Sequence, residues 1–156
     1  MNKYTEKYRK IVDELVGKSF PELKGKKIWI REYDGISYGG TTYTPFFMIL
    51  WVNKKARKFT KKQQVGLVAH ELCHFSIFSG RGFFEGLVKG LLYFLPKGRR
   101  KQEEMDTIKF SIEKGYGKDW CELSKVAWKD EARKKMNKSY WSPEEIKSYA
   151  KKVGKW

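Results

Sequence analysis

A chain of 156 residues with 40% hydrophobic content is long enough for one domain with its own core and too short for several. Its net charge of +16 is spread along the chain, with local runs only at Lys54-Lys55-Ala56-Arg57-Lys58 and Lys97-Gly98-Arg99-Arg100-Lys101. Such a spread fits a solvated surface and does not by itself establish a nucleic-acid or membrane partner. Only Cys73 and Cys121 are present, and the start Met1-Asn2-Lys3-Tyr4 leads into no apolar signal region. A disulfide framework is not expected, and the default setting is reduced and cytoplasmic.

Tyr4, Tyr8, Ile11, Val12 and Leu15 recur at helical spacing, which predicts a helix over 3–16 with Gly17 as its C-cap. Lys27-Ile28-Trp29-Ile30-Arg31 reads as a short strand. Gly35, Gly39 and Gly40 make 33–45 a loop or loose hairpin. Residues 46–52 are apolar throughout and predict a second strand buried on both faces. That strand is either a plain interior strand or an edge able to pair with an extended peptide. Thr60 and Gln63 are spaced as a capping box for a helix running to Ser79 and ending at Gly80.

That helix carries His70-Glu71-Leu72-Cys73-His74, which uses both histidines of the chain. Residues four apart differ by about 40° around a helix, so the two imidazoles leave one face a turn apart. This suits two adjacent corners of a zinc tetrahedron. Glu71, rotated by roughly 100° from His70, can reach a water beside the metal without ligating the metal itself. Cys73 lies off the ligand face and reads as core packing.

Residues 83–95 are rich in leucine and phenylalanine but interrupted by Glu85 and Lys89. The segment is too short to span a bilayer, which takes about 20 apolar residues. Packing over the motif helix is the favoured reading, and a peripheral membrane contact is the other.

A catalytic zinc site needs a third protein ligand and an open position. With no histidine left, a carboxylate is expected, or one of the cysteines. A helix is predicted over 102–114, closed by Gly115, with Met105, Ile108 and Ile112 as its core stripe. Glu104 lies about 70° from the centre of that stripe, whereas Glu103 points nearly opposite and Asp106 well to one side. Glu104 is thereby selected, with Glu103 and Asp106 as the other candidates. Further on, Ser142, Pro143 and Glu145 suit N-cap, N1 and N3 of a last helix.

His70-Glu71-x-x-His74 followed some thirty residues later by Glu104 on a second helix resembles the gluzincin metallopeptidases, especially their minimal single-domain members. The likeness extends over most of 26–150, including the stretch from Glu104 to Gly117 and the ending from Tyr140 to Ile146. It implies an α+β, zincin-like single domain, with a small mixed sheet packed on the active-site helix and on a glutamate-bearing helix. Residues 1–25 would form an N-terminal helix and connector, 26–117 the catalytic core and 118–156 a C-terminal helical segment. The resemblance also implies one zinc held by His70, His74 and Glu104, with Glu71 as general base in hydrolysis of a peptide or protein substrate.

In many gluzincins an aspartate one turn after the ligand glutamate supports a ligand histidine; that position is Ile108 here. Support would then come from Asp106 or a backbone carbonyl, or a shifted register would make Glu103 the ligand. Tyr116, Tyr93 and Arg81 are the candidates for stabilising an oxyanion. Two rival readings are a basic nucleic-acid-binding protein without enzymatic activity and a zinc protein kept latent by its own 120–156 segment.

Overall fold

In the computed structural model, which describes residues 3–44, 47–79, 97–137 and 140–156, helix α1 runs over Lys3–Ser19. It passes straight through Gly17, the expected C-cap. The stop comes from Pro21, because a proline disfavours helical backbone in the residue before it. Tyr8, Ile11, Val12 and Leu15 form the buried stripe that the spacing predicts.

Three strands follow: β1 (Lys27–Tyr33), β2 (Gly39–Tyr43) and β3 (Phe47–Asn53), in the spatial order β1-β3-β2. β1 pairs parallel to β3, and β2 pairs antiparallel to it. The continuous apolar run of β3 is therefore the central strand, and the edge-strand reading of 46–52 is corrected. Its burial also alternates. Met48, Leu50 and Val52 are buried, whereas Phe47, Ile49 and Trp51 are only partly covered. Trp29 shields Phe47 on that outer face, with ring centroids 4.8 Å apart. Among the described residues one face of β3 is covered more fully than the other, so a strand apolar on both sides need not be equally buried on both.

Helix α2 (Lys61–Ser79) is the spine of the molecule, packed against α1, β2 and two later helices. The expected capping box forms: the Thr60 N–H donates to Gln63 Oε1 at 2.9 Å, and the Gln63 N–H to Thr60 Oγ1 at 3.4 Å. Leu67, Val68, Ala69, Leu72, Cys73 and Phe75 are buried around most of its circumference, as suits a helix apolar on nearly all sides. Residues 83–95, Arg81 and Tyr93 lie outside the described residues.

Helix α3 (Lys97–Ser111) starts earlier than predicted and runs into a π-helical segment, Ile112–Tyr116. Gly115 sits there at φ 95°, a conformation open to glycine at little cost, so the chain kinks and re-enters α4 (Gly117–Lys129). A short α5 (Lys134–Asn137) and α6 (Pro143–Lys152) complete the chain. Ser142 and Glu145 close the predicted capping box at the start of α6. Helices α2 and α4 approach closely at Gly66. A Cβ there would lie 2.5 Å from the carbonyl oxygen of Asp119. The protein is thus α+β, mostly helical, with one small three-stranded sheet. Among the described residues no helix is long and apolar enough to cross a membrane.

Candidate metal centre

His70 and His74 leave α2 toward α3, and Glu104 comes from α3 to meet them. His70 Nε2 lies 3.2 Å from His74 Nε2 and 3.2 Å from Glu104 Oε2, and His74 Nε2 lies 3.5 Å from the same oxygen. These three atoms make a nearly equilateral triangle. A tetrahedral zinc with bonds of about 2.0–2.1 Å requires ligand atoms about 3.3–3.4 Å apart. The donor set and its spacing fit a metal ion, and this is the one group of three such side chains found among the described residues.

Of the three acids named for this helix, Glu104 is the one that lies beside both histidines. Glu103 is exposed, and Asp106 is exposed and engaged by Gln102 at 2.8 Å and Lys109 at 3.6 Å. Neither supports a histidine. Thr107 does so. Its hydroxyl donates to the Glu103 carbonyl at 2.8 Å, since a carbonyl can only accept. The Thr107 oxygen is then left as an acceptor 3.3 Å from His74 Nδ1. The proton of a neutral His74 is thereby placed on Nδ1, and Nε2 presents a lone pair to the centre. Thr107 follows Glu104 by three residues and shares its helix face, a relation visible in the sequence but carrying no signal until the ring is in place. His70 is held differently. Trp120 of α4 stacks flat on it at 4.2 Å and 10°, and its buried Nδ1 has no partner among the described residues.

Electrostatics follow from this burial. Burial alone would raise the Glu104 carboxyl, but hydrogen bonds and charge from His70 and His74 hold it far below the usual carboxylate range. Burial depresses His70, whereas the Glu104 carboxylate raises His74 despite its burial. Glu71 is pushed up to about 7, first by burial and further by the charge of Glu104. His74, Thr41 and Arg133 act against that rise. A cation held by the triad would act the same way as they do.

Glu71 faces β2, one of the two edge strands of the sheet; among the described residues β2 pairs only with β3. Gly39 makes this approach possible, because a Cβ there would lie 3.1 Å from Glu71 Oε1 and 2.7 Å from Leu67 Cδ1. Beyond Glu71 opens a cavity of about 30 Å³, with Tyr38, Trp120, Arg133 and Tyr140 in its walls. Tyr116, an expected oxyanion partner, is committed elsewhere: its hydroxyl donates to Ser19 Oγ at 2.6 Å. Cys73 and Cys121 are buried and unpaired, and neither joins the triad. Trp120, Arg133 and Tyr140 were not singled out by sequence as part of a site, since only the tertiary fold brings α4 and its sequel over α2.

Comparison with protein-family models finds no match for the chain, and neither do comparisons with curated proteins and with solved structures.

Proposed function

We propose that this protein is a zinc-dependent peptidase of the gluzincin type, with His70, His74 and Glu104 as metal ligands and Glu71 as general base. The observation that carries this reading is the triangle of Nε2, Nε2 and Oε2 atoms at zinc-ligand spacing, with a buried carboxylate on the next residue of the same helix. Zinc bound there would supply Lewis acidity toward water and toward a substrate carbonyl. The chain's own residues do the rest. Glu71 takes a proton from water at its carboxylate oxygen and returns it to the leaving nitrogen. Thr107 and Trp120 hold the two imidazoles in their orientations. The β2 edge offers main-chain groups to a substrate in extended form.

A second reading, a latent peptidase, has support in the segment after α4. Asp130 ties it to Tyr38 through a 2.8 Å hydrogen bond, and Tyr140 stands 6.3 Å from the His70 ring. Arg133, Asn137 and Tyr140 of that segment line the cavity beside Glu71.

The test is hydrolysis of an unstructured protein by the zinc-loaded wild type and by Glu71→Gln. The variant is expected to keep its zinc and lose about a hundredfold or more in turnover. Equal turnover in the two would remove the general-base role. A wild type that cleaves only after the segment beyond residue 129 is cut would establish latency.

A further inference from the structure

The cavity beside Glu71 contains a charge to which no step proposed above assigns a substrate contact. Arg133 is only 6% exposed, and its Nε and Nη1 are buried with no hydrogen-bond partner among the described residues. A guanidinium cannot shed its proton, so burial does not silence it. Asp130, three residues earlier in the chain, has its carboxylate engaged by other donors. It accepts from the Tyr38 hydroxyl at 2.8 Å and from the Ala132 N–H at 3.0 Å. Arg133 instead lies over the Tyr38 ring, 4.3 Å from its centroid, which steadies the charge but leaves Nε and Nη1 without acceptors. Buried donors are nearly always satisfied in folded proteins, so this pair marks a place for a missing acceptor.

The cavity that Arg133 shares with His70 and Glu71 is about 30 Å³, room for about two waters or one small planar anion. A carboxylate is small enough for that volume and brings two acceptor oxygens to a guanidinium short of acceptors. From these features we infer that Arg133 receives the carboxylate of the substrate, either a peptide C-terminus or an acidic side chain beside the scissile bond. The inference rests on the peptidase reading for its substrate class. The rest of the peptide would lead out past Gly39 along the β2 edge.

The probes are N-acetyl-Ala-Ala as the free acid, its C-terminal amide, and N-acetyl-Ala-Glu amide. Each is titrated into the purified protein and followed by the fluorescence of Trp120 and Trp128, which line the cavity. The titration is repeated after chelation, so that ligation of a metal by the carboxylate cannot mimic the effect. At least one carboxylate-bearing probe is expected to bind about tenfold or more tighter than the neutral amide. Preference for the free acid identifies a C-terminus, and preference for the glutamyl amide identifies a side chain. Arg133→Met, which keeps the volume without the charge, should bind all three alike, and Arg133→Lys should regain part of the preference.

Equal affinity of the wild type for all three probes overturns the inference, as does an undiminished preference in Arg133→Met. Should Arg133→Met fail to fold, the acid-against-amide comparison in the wild type still decides. Hydrolysis separates the two claims. Carboxylate-dependent binding without any cleavage by the zinc-loaded protein, either intact or after the segment beyond residue 129 is cut, keeps the pocket and removes the peptidase. Cleavage indifferent to carboxylates does the reverse.

Discussion

The Thr107 oxygen lies 3.3 Å from His74 Nδ1 while its proton is spent on the carbonyl of Glu103. One hydroxyl thus fixes both the tautomer and the tilt of an imidazole in the candidate metal centre. Thr107→Val keeps the shape and removes the acceptor. Zinc affinity is expected to fall by roughly 10–100-fold, with little change in thermal stability of the metal-free protein. Thr107→Ser should restore most of the affinity. Competition with a chromogenic chelator measures both, and an unchanged affinity in Thr107→Val would show that the hydroxyl only fills space.

Gly66 sits one turn before His70, where α4 comes nearest to α2. Gly66→Ala would push a methyl into the Asp119 carbonyl and the Trp120 amide. The expected cost is about 1–3 kcal/mol, because main chain on both sides leaves nothing flexible to yield. Thermal denaturation should register roughly 2–4 °C per kcal/mol in a domain of this size. Because Trp120 stacks on His70, the same variant should also weaken metal binding. Unaltered melting would mean that the two helices are less closely apposed than described.

Glu22 links three parts of the chain, accepting from the Ser76 hydroxyl of α2 and pairing with Lys114 of the π-helical segment at 3.4 Å. Its burial acts upward, yet those two partners bring its pKa below the usual carboxylate value. A depressed folded-state pKa means stabilisation that is present above the unfolded value, about 4.3, and lost as pH falls through the folded one. Partial exposure keeps the effect modest. Wild type should therefore exceed Glu22→Gln in denaturant midpoint at pH 7, with the gap closing as pH falls below the unfolded value. A gap that grows toward acid would reverse the sign of this assignment.

Burial raises the thiols of both Cys73 and Cys121 above their ordinary value, and both are all but inaccessible. Neither should react with a disulfide reagent in the native protein, and both should react once it is unfolded. Rapid labelling of Cys73 in native buffer would contradict the closed packing of α2 behind the metal centre.

Local features were the legible ones. The capping boxes of Thr60 with Gln63 and Ser142 with Glu145 are written within four residues, and the wheel position of Glu104 needs only helical periodicity. Gly17 misled because a glycine ends a helix only where nothing downstream keeps it running, and Pro21 sets the actual stop. The sheet misled for another reason. Strand order is a long-range property, so the apolar run at 47–53 could not reveal that β2, with its two glycines, takes the edge beside Glu71. Thr107, Trp120 and Arg133 acquire meaning only from what α2 brings beside them, and no spacing rule reaches from residue 133 back to residue 71.

Whether His70, His74 and Glu104 hold zinc is decided by the metal content of the purified protein after incubation with zinc and removal of the excess, measured beside Glu104→Ala. About one zinc ion per wild-type chain is expected, with a marked loss in the variant and the metal-free fold of both intact. A wild type that takes up no zinc, or a variant that retains it at full occupancy, would rule out this ligand set.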